Sequence, residues 1–243
     1  MYRQSVGEDV SQALFPGSED QEGGRITPDG KWVLYFTMPH DSGSLATATQ
    51  RVMRAPVAGG FGELVLETAP GEVSADIQCA AAASPPCIIG RSEKDDLVFY
   101  ELDPLKGQGK ELGRTTIGAP GDWMSWDLSA DGTQIAVAGS VGLGEKVRLV
   151  DLKKHTQRDL VLPPNVFLTS IVWSSDARTL FGGGQRGTSE WFILWMDLSG
   201  KSKIIASKGP VPYYTSLLPS PDGHFLAYTE ETHESNAFLL ENF

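Results

Sequence analysis

The chain has 243 residues and a net charge of −11, from 20 basic and 31 acidic side chains. That length buries a sizeable core without disulfides or metals, and an acidic chain with no basic cluster argues against nucleic acid and against an anionic membrane surface. There is no apolar run of the roughly 18 residues that a spanning helix needs, and the opening Met1-Tyr-Arg-Gln-Ser-Val-Gly-Glu-Asp lacks the apolar core of a signal peptide.

The first predicted elements are two short strands, at residues 2–6 and 11–15, which read as the second hairpin of a β unit. Ile26-Thr-Pro-Asp29-Gly30 then supplies a strand end and a tight turn, followed by the apolar strand Trp32-Val-Leu-Tyr-Phe36. Asp bonds the local backbone in such a turn and Gly accepts positive φ. A looser hairpin follows at Val52-Met-Arg-Ala-Pro-Val57, Gly59-Gly60 and Glu63-Leu-Val-Leu66. The same turn pattern returns at Leu128-Ser-Ala-Asp131-Gly132, Trp173-Ser-Ser-Asp176-Ala177 and Pro219-Ser-Pro-Asp222-Gly223. Asp131 and Asp176 are 45 residues apart, Asp176 and Asp222 46, and Asp29 and Asp131 102, about twice that period. A degenerate copy is therefore expected between them, and Cys79-Ala-Ala-Ala-Ala-Ser84-Pro85-Pro86-Cys87 fits.

A second signal runs in phase. Asp103, Asp151 and Asp197 each close an apolar strand before a Lys-, Ser- or Gly-containing turn, at intervals of 48 and 46 residues. Each unit thus holds two hairpins in about 45 residues, with no helix-period stretch between them. The predicted fold is all-β: a β-propeller of about five four-stranded blades, whole or part of a longer one. The blades are placed at residues 24–70, 71–116, 117–165, 166–211 and 212–243, with residues 1–23 as a strand hairpin that completes or precedes the ring. Pairing of residues 11–15 with the last blade would close five blades and remove the open edges. A β-sandwich explains the alternation but not the period.

Chemistry-bearing residues are sparse. His40, His155, His224 and His233 have no metal-ligand spacing, and no Gly-x-Ser-x-Gly elbow occurs. The repeated aspartates come singly, one per unit, so they read as turn formers and not as a calcium loop. No catalytic residue, metal or cofactor is predicted. Cys79 and Cys87 flank the Pro-Pro turn but are not directly opposite in the simplest register, so a disulfide and two free thiols both stay open. The aromatics Trp123, Trp126, Tyr213 and Tyr214 precede the first strands of their units and, with Asp76 and Asp122, are the candidates for a ligand- or partner-binding face. Ordinary packing between blades is the competing reading.

The Asp-Gly units resemble the WD40-like repeats of TolB-type propellers. The order of Val98-Phe-Tyr-Glu-Leu-Asp-Pro-Leu-Lys-Gly-Gln-Gly, Trp126-Asp-Leu-Ser-Ala-Asp-Gly, Val172-Trp-Ser-Ser-Asp, Pro219-Ser-Pro-Asp-Gly and the ending Ser235-Asn-Ala-Phe-Leu-Leu-Glu-Asn-Phe243 is similar to the C-terminal propeller of acidobacterial-type membrane-anchored regulators. Those proteins join a Ser/Thr kinase or a winged-helix domain to a propeller through one membrane span. The resemblance covers the chain from about residue 24. It implies a natural terminus at Phe243, a parent protein that begins before Met1, and a periplasmic or extracytoplasmic setting. It implies a non-catalytic sensory or scaffolding propeller that binds a protein or small ligand, without nucleic acid and without inserting into the membrane itself. Any kinase activity would belong to a domain absent here, since neither the His-Arg-Asp nor the Asp-Phe-Gly motif occurs. The alternatives are the accessory propeller of a peptidase or hydrolase, and a lyase- or lactonase-like propeller with an active site in its channel.

Overall fold

The computed structural model describes residues 1–3, 9–14, 20–38, 49–69, 74–80, 87–117, 124–139, 143, 145–187, 190–208 and 216–229. Among these residues every regular element is a β-strand. Two short strands, β1 (Tyr2–Arg3) and β2 (Gln12–Ala13), pair with each other. The first four-stranded sheet is β3 (Asp20–Ile26), β4 (Trp32–Met38), β5 (Arg51–Pro56) and β6 (Glu63–Glu67). The second is β7 (Ser74–Cys79), β8 (Cys87–Glu93), β9 (Asp96–Asp103) and β10 (Gly107–Thr116). The third is β11 (Ser125–Leu128), β12 (Gln134–Ala138), β13 (Lys146–Asp151) and β14 (Thr156–Val161). The fourth is β15 (Val166–Trp173), β16 (Thr179–Arg186), β17 (Glu190–Asp197) and β18 (Ser202–Lys208). A last pair, β19 (Leu217–Pro219) and β20 (Leu226–Tyr228), begins a fifth unit.

Each sheet is an antiparallel meander with neighbours in chain order, which is the propeller blade. Against the five blades expected, the described residues form four complete ones and a two-stranded start of another. Among the described residues β2 (Gln12–Ala13), within the 11–15 segment expected on the last blade, pairs with β1. Met1 and Leu14 pack on Val33, Tyr35 and Ala55, covering the face of blade 1 that points away from blade 2. Strands of two residues cannot supply a blade's ladder, and burying these two apolar side chains is the gain that holds the hairpin there.

Alternation along each strand sends its apolar positions to opposite neighbours. Leu34, Phe36 and Val52 of blade 1 meet Ile77, Ile89 and Leu102 of blade 2. Ile88, Leu97 and Phe99 of blade 2 meet Trp126, Ile135 and Val137 of blade 3. Ala136, Val147 and Leu149 of blade 3 meet Ile171, Trp173 and Phe192 of blade 4. Trp191 and Ile193 of blade 4 carry Leu217 and Leu226 of the last pair. The core is therefore a series of layers between blades.

The Asp turns share one hydrogen-bonding module. Ser129 Oγ donates to Asp131 Oδ1 at 2.6 Å and accepts Gln134 N at 3.0 Å, while Asp131 Oδ1 accepts Thr133 N at 3.0 Å. Thr27 with Asp29, Ser174 with Asp176, and Ser220 with Asp222 repeat it. The fourth turn residue is left-handed each time: Gly30, Gly132 and Gly223, and in blade 4 Ala177 at φ 55°. The second set of aspartates also closes turns, as where Asp151 Oδ1 accepts Lys153 N and Lys154 N.

Candidate functional site

The first strands of successive units adjoin at every joint, β3 with β7, β7 with β11, β11 with β15 and β15 with β19. They converge on the axis of the array. The residue two places before each turn hydroxyl occupies one equivalent position along this inner edge. Those residues are Arg25 before Thr27, Asp127 before Ser129, Val172 before Ser174 and Leu218 before Ser220, with Gln78 in the same register in blade 2.

Arg25 reaches across to β7. Its Nε donates to Gln78 Oε1 at 3.1 Å and its Nη2 donates to Asp76 Oδ2 at 3.1 Å. Gln78 Nε2 donates to Asp76 Oδ2 at 3.2 Å and to the Trp126 carbonyl of blade 3 at 3.3 Å. Asp76 is held by its own strand as well, its Oδ1 accepting Ile77 N at 2.7 Å. On blade 3, Asp127 Oδ2 accepts Trp173 N of blade 4 at 2.7 Å and Ser125 Oγ accepts Ile171 N at 3.1 Å. The Arg25, Asp76, Gln78 and Asp127 side chains thus form a polar line along the inner strands of blades 1 to 3.

Bulges aim these side chains. β3 shifts register between Glu22 and Arg25, where Gly23 is left-handed at φ 65°, and β7 shifts between Ser74 and Asp76. An extra residue on one strand turns the following side chain. The electrostatics follow from partial burial. Arg25 and Asp76 keep 37% and 26% of their side-chain surface open, so the pair faces solvent along the axis. Burial pushes the Asp76 carboxyl above its usual range, with the Arg25 charge and the Ile77 amide opposing. Burial pushes Asp127 up to about 7, against the Trp173 and Leu128 amides and the charge of Arg25.

The line ends at blade 4. There Val172 replaces Asp127 and Pro219 replaces Trp173, so the joint has neither the carboxylate nor the N–H that it would accept.

Of the residues predicted from sequence, Asp76 lies in this line. Trp126 does not face a ligand: it is 2% exposed, set edge-on to Phe99 at a centroid distance of 5.1 Å, and it covers Gly90 of β8. Asp122, Trp123, Tyr213 and Tyr214 lie outside the described residues. Cys79 and Cys87 form a disulfide and are directly opposite in the β7–β8 ladder, with Cα atoms 4.0 Å apart, so the register differs from the offset one expected. The bulge that shifts β7 sits at its start, and the turn end of the hairpin is in simple register. Arg25, Gln78 and Asp127 were missed. Counting two residues back from the Ser/Thr of each turn would have found Arg25 and Asp127. Among the described residues no group of three or more His, Cys, Asp or Glu side chains is placed to hold a metal, and no helix is long and apolar enough to cross a membrane.

No protein-family model and no curated protein matches the chain. Solved structures do. TolB from Acinetobacter baumannii matches with a TM-score of 0.67 at 15% identity, over 90% of this chain and 50% of that one. The chain folds as a TolB-like β-propeller array. Puromycin hydrolase matches with a TM-score of 0.60 at 17% identity, over 88% of this chain and 34% of that one. Hydrazine synthase of Kuenenia stuttgartiensis matches with a TM-score of 0.59 at 16% identity, over 94% and 59%. The TolB-like array therefore spans a third to about three fifths of these chains, and at such identities the likeness concerns the fold.

Proposed function

We propose that this TolB-like array is a non-catalytic binding module that takes a protein segment or small ligand at the axial end of its inner strands. The observation that carries this reading is the Arg25–Asp76 pair. It is a charged pair, partly open to solvent, held in fixed geometry by Gln78 and Ile77 among buried apolar layers. A preorganised, half-open polar group at the convergence of rigid strands is what recognition requires. The resemblance to membrane-anchored regulators suits a sensory or scaffolding role in signalling, outside the cytoplasm. The likeness to puromycin hydrolase favours a second reading, the accessory propeller of a hydrolase.

Quantitative affinity capture on the immobilised chain, beside its Arg25→Glu variant, tests the site, together with thermal-shift screening of peptides and small polar ligands. Binders retained by the wild type and lost at least tenfold in Arg25→Glu support it. Binding that is indifferent to the substitution, or no binder in either assay, rejects it. Co-capture of a hydrolase would favour the second reading.

A further inference from the structure

Arg25 carries five N–H donors, and the fold uses three of them. Nε donates to Gln78 Oε1 at 3.1 Å, Nη2 to Asp76 Oδ2 at 3.1 Å and Nη1 to the Gly24 carbonyl at 3.2 Å. Among the described residues the other two are unused, one on each terminal nitrogen, on a side chain that is 37% exposed. No other donor of the axial line is left over. Both amide hydrogens of Gln78 are taken, by Asp76 Oδ2 and by the Trp126 carbonyl. Asp76 accepts from Ile77 N, Arg25 and Gln78, and Asp127 is committed to the joint with blade 4 through Trp173 N.

We propose that Arg25 is a carboxylate receptor: the axial site takes an acidic group of its ligand end-on, through Nη1 and Nη2, while β7 holds the guanidinium from the side. This rests on the binding role proposed above and names the chemistry of what is bound. A guanidinium presents its donors as a planar fork that matches the two oxygens of a carboxylate. Nε and Nη2 share one edge of that plane, and Gln78 and Asp76 occupy it. The edge between Nη1 and Nη2 keeps the two unused N–H groups. Asp76 thus fixes the plane of the fork without blocking that edge, and an arginine fixed in this way has little freedom left to lose on binding. Gly23 puts no side chain beside the pair. It is left-handed at φ 65°, and a Cβ there would stand 3.0 Å from the Phe36 ring and 3.8 Å from Asp76 Oδ1. An ammonium ligand is the less suited one, because Asp76 already accepts three hydrogen bonds.

The decisive experiment is quantitative affinity capture on the intact chain with one mixture of synthetic acidic peptides in three forms. These are the free acids, the same peptides amidated at the C-terminus alone, and the same peptides with every carboxyl methyl-esterified. Full esterification is expected to cut retention by about tenfold or more, the loss of a charge-assisted hydrogen bond. A loss that appears already on amidation assigns the group to a chain terminus, and one that needs full esterification assigns it to an Asp or Glu side chain; both support the proposal. Succinate and succinamide make the same comparison for small ligands, and a thermal midpoint raised by the acid alone supports it too. Arg25→Lys keeps the charge but lacks the fork, and it is expected to lose the free acids by a similar factor. Retention that is unchanged or increased by esterification overturns the carboxylate receptor and leaves the binding role in place. Retention of the free acids by Arg25→Lys equal to that of the wild type overturns the fork. No response to any of these probes overturns the proposal as well, and the wider ligand screen above decides the binding role separately.

Discussion

Ala177 occupies the left-handed turn position that its three counterparts fill with glycine, at φ 55°. A Cβ there crowds the following carbonyl, so Ala177→Gly is expected to stabilise the chain by about 0.5–1 kcal/mol in urea unfolding, after the greater entropy of unfolded glycine is offset. The neighbouring aspartates report on acid. A hydroxyl of Thr27 holds the Asp29 carboxyl below its usual value, those of Ser174 and Ser220 do the same for Asp176 and Asp222, and Asp131 is also lowered by Ser129 and Thr133 against partial burial. A depressed folded value gives stability that is present above the unfolded one and lost as pH falls through the folded one. Stability is therefore expected to drop below about pH 4; urea midpoints at pH 2, 3 and 4 measure the drop. These turns were plain in the sequence as Asp-Gly. The role of the Ser or Thr two residues earlier was not, because a hydroxyl that both donates to Asp and accepts an amide is a feature of geometry and not of composition.

Joints between blades differ in how their inner edges are satisfied. Ser125 Oγ accepts Ile171 N, whereas its counterpart Ser170 Oγ is buried without a partner among the described residues. Ser125→Ala is expected to cost about 1–2 kcal/mol, since it leaves an amide unpaired, and Ser170→Ala to be neutral or slightly stabilising. Equal losses on unfolding would contradict this account of the joints. In blade 2 the turn has no Ser-x-Asp module, and Cys79–Cys87 closes the hairpin instead, over a sequence separation of 8. Replacing both cysteines with serine is expected to cost about 2–3 kcal/mol, read as a lower urea midpoint. The degenerate second unit was legible from the doubled interval between Asp29 and Asp131. The direct opposition of its cysteines was not, because register depends on turn geometry. Trp126 was misread for a related reason. It precedes the turn by a few residues, as a face residue would, but alternation sends its ring toward Gly90 and Phe99 of blade 2.

The described residues form four layered blades flanked by two two-stranded sheets. The repeat of about 45 residues made the blade architecture readable, since no other arrangement phases two turn signals per unit. The blade count at the ends was not readable: whether a two-stranded segment pairs with a distant one depends on non-local contacts that a period does not encode. The axial line was equally hidden, because it is assembled from four residues of three blades across about a hundred residues of chain. In the structure β1–β2 lies on blade 1 and β19–β20 on blade 4, and among the described residues these two pairs are not joined to each other. Tyr228 of the last pair is 47% exposed, in contrast to its buried counterparts Ile89 and Val137 in blades 2 and 3. Hydrogen exchange of the intact chain, resolved by strand, tests this arrangement directly. The account predicts strong protection in β4, β5, β8, β9, β12, β13, β16 and β17, and amides in β1, β2, β19 and β20 that exchange at least a hundredfold faster. Protection of β1 and β20 equal to that of β16 and β17 would contradict it, because the two half-units would then be joined as a fifth blade in a closed ring.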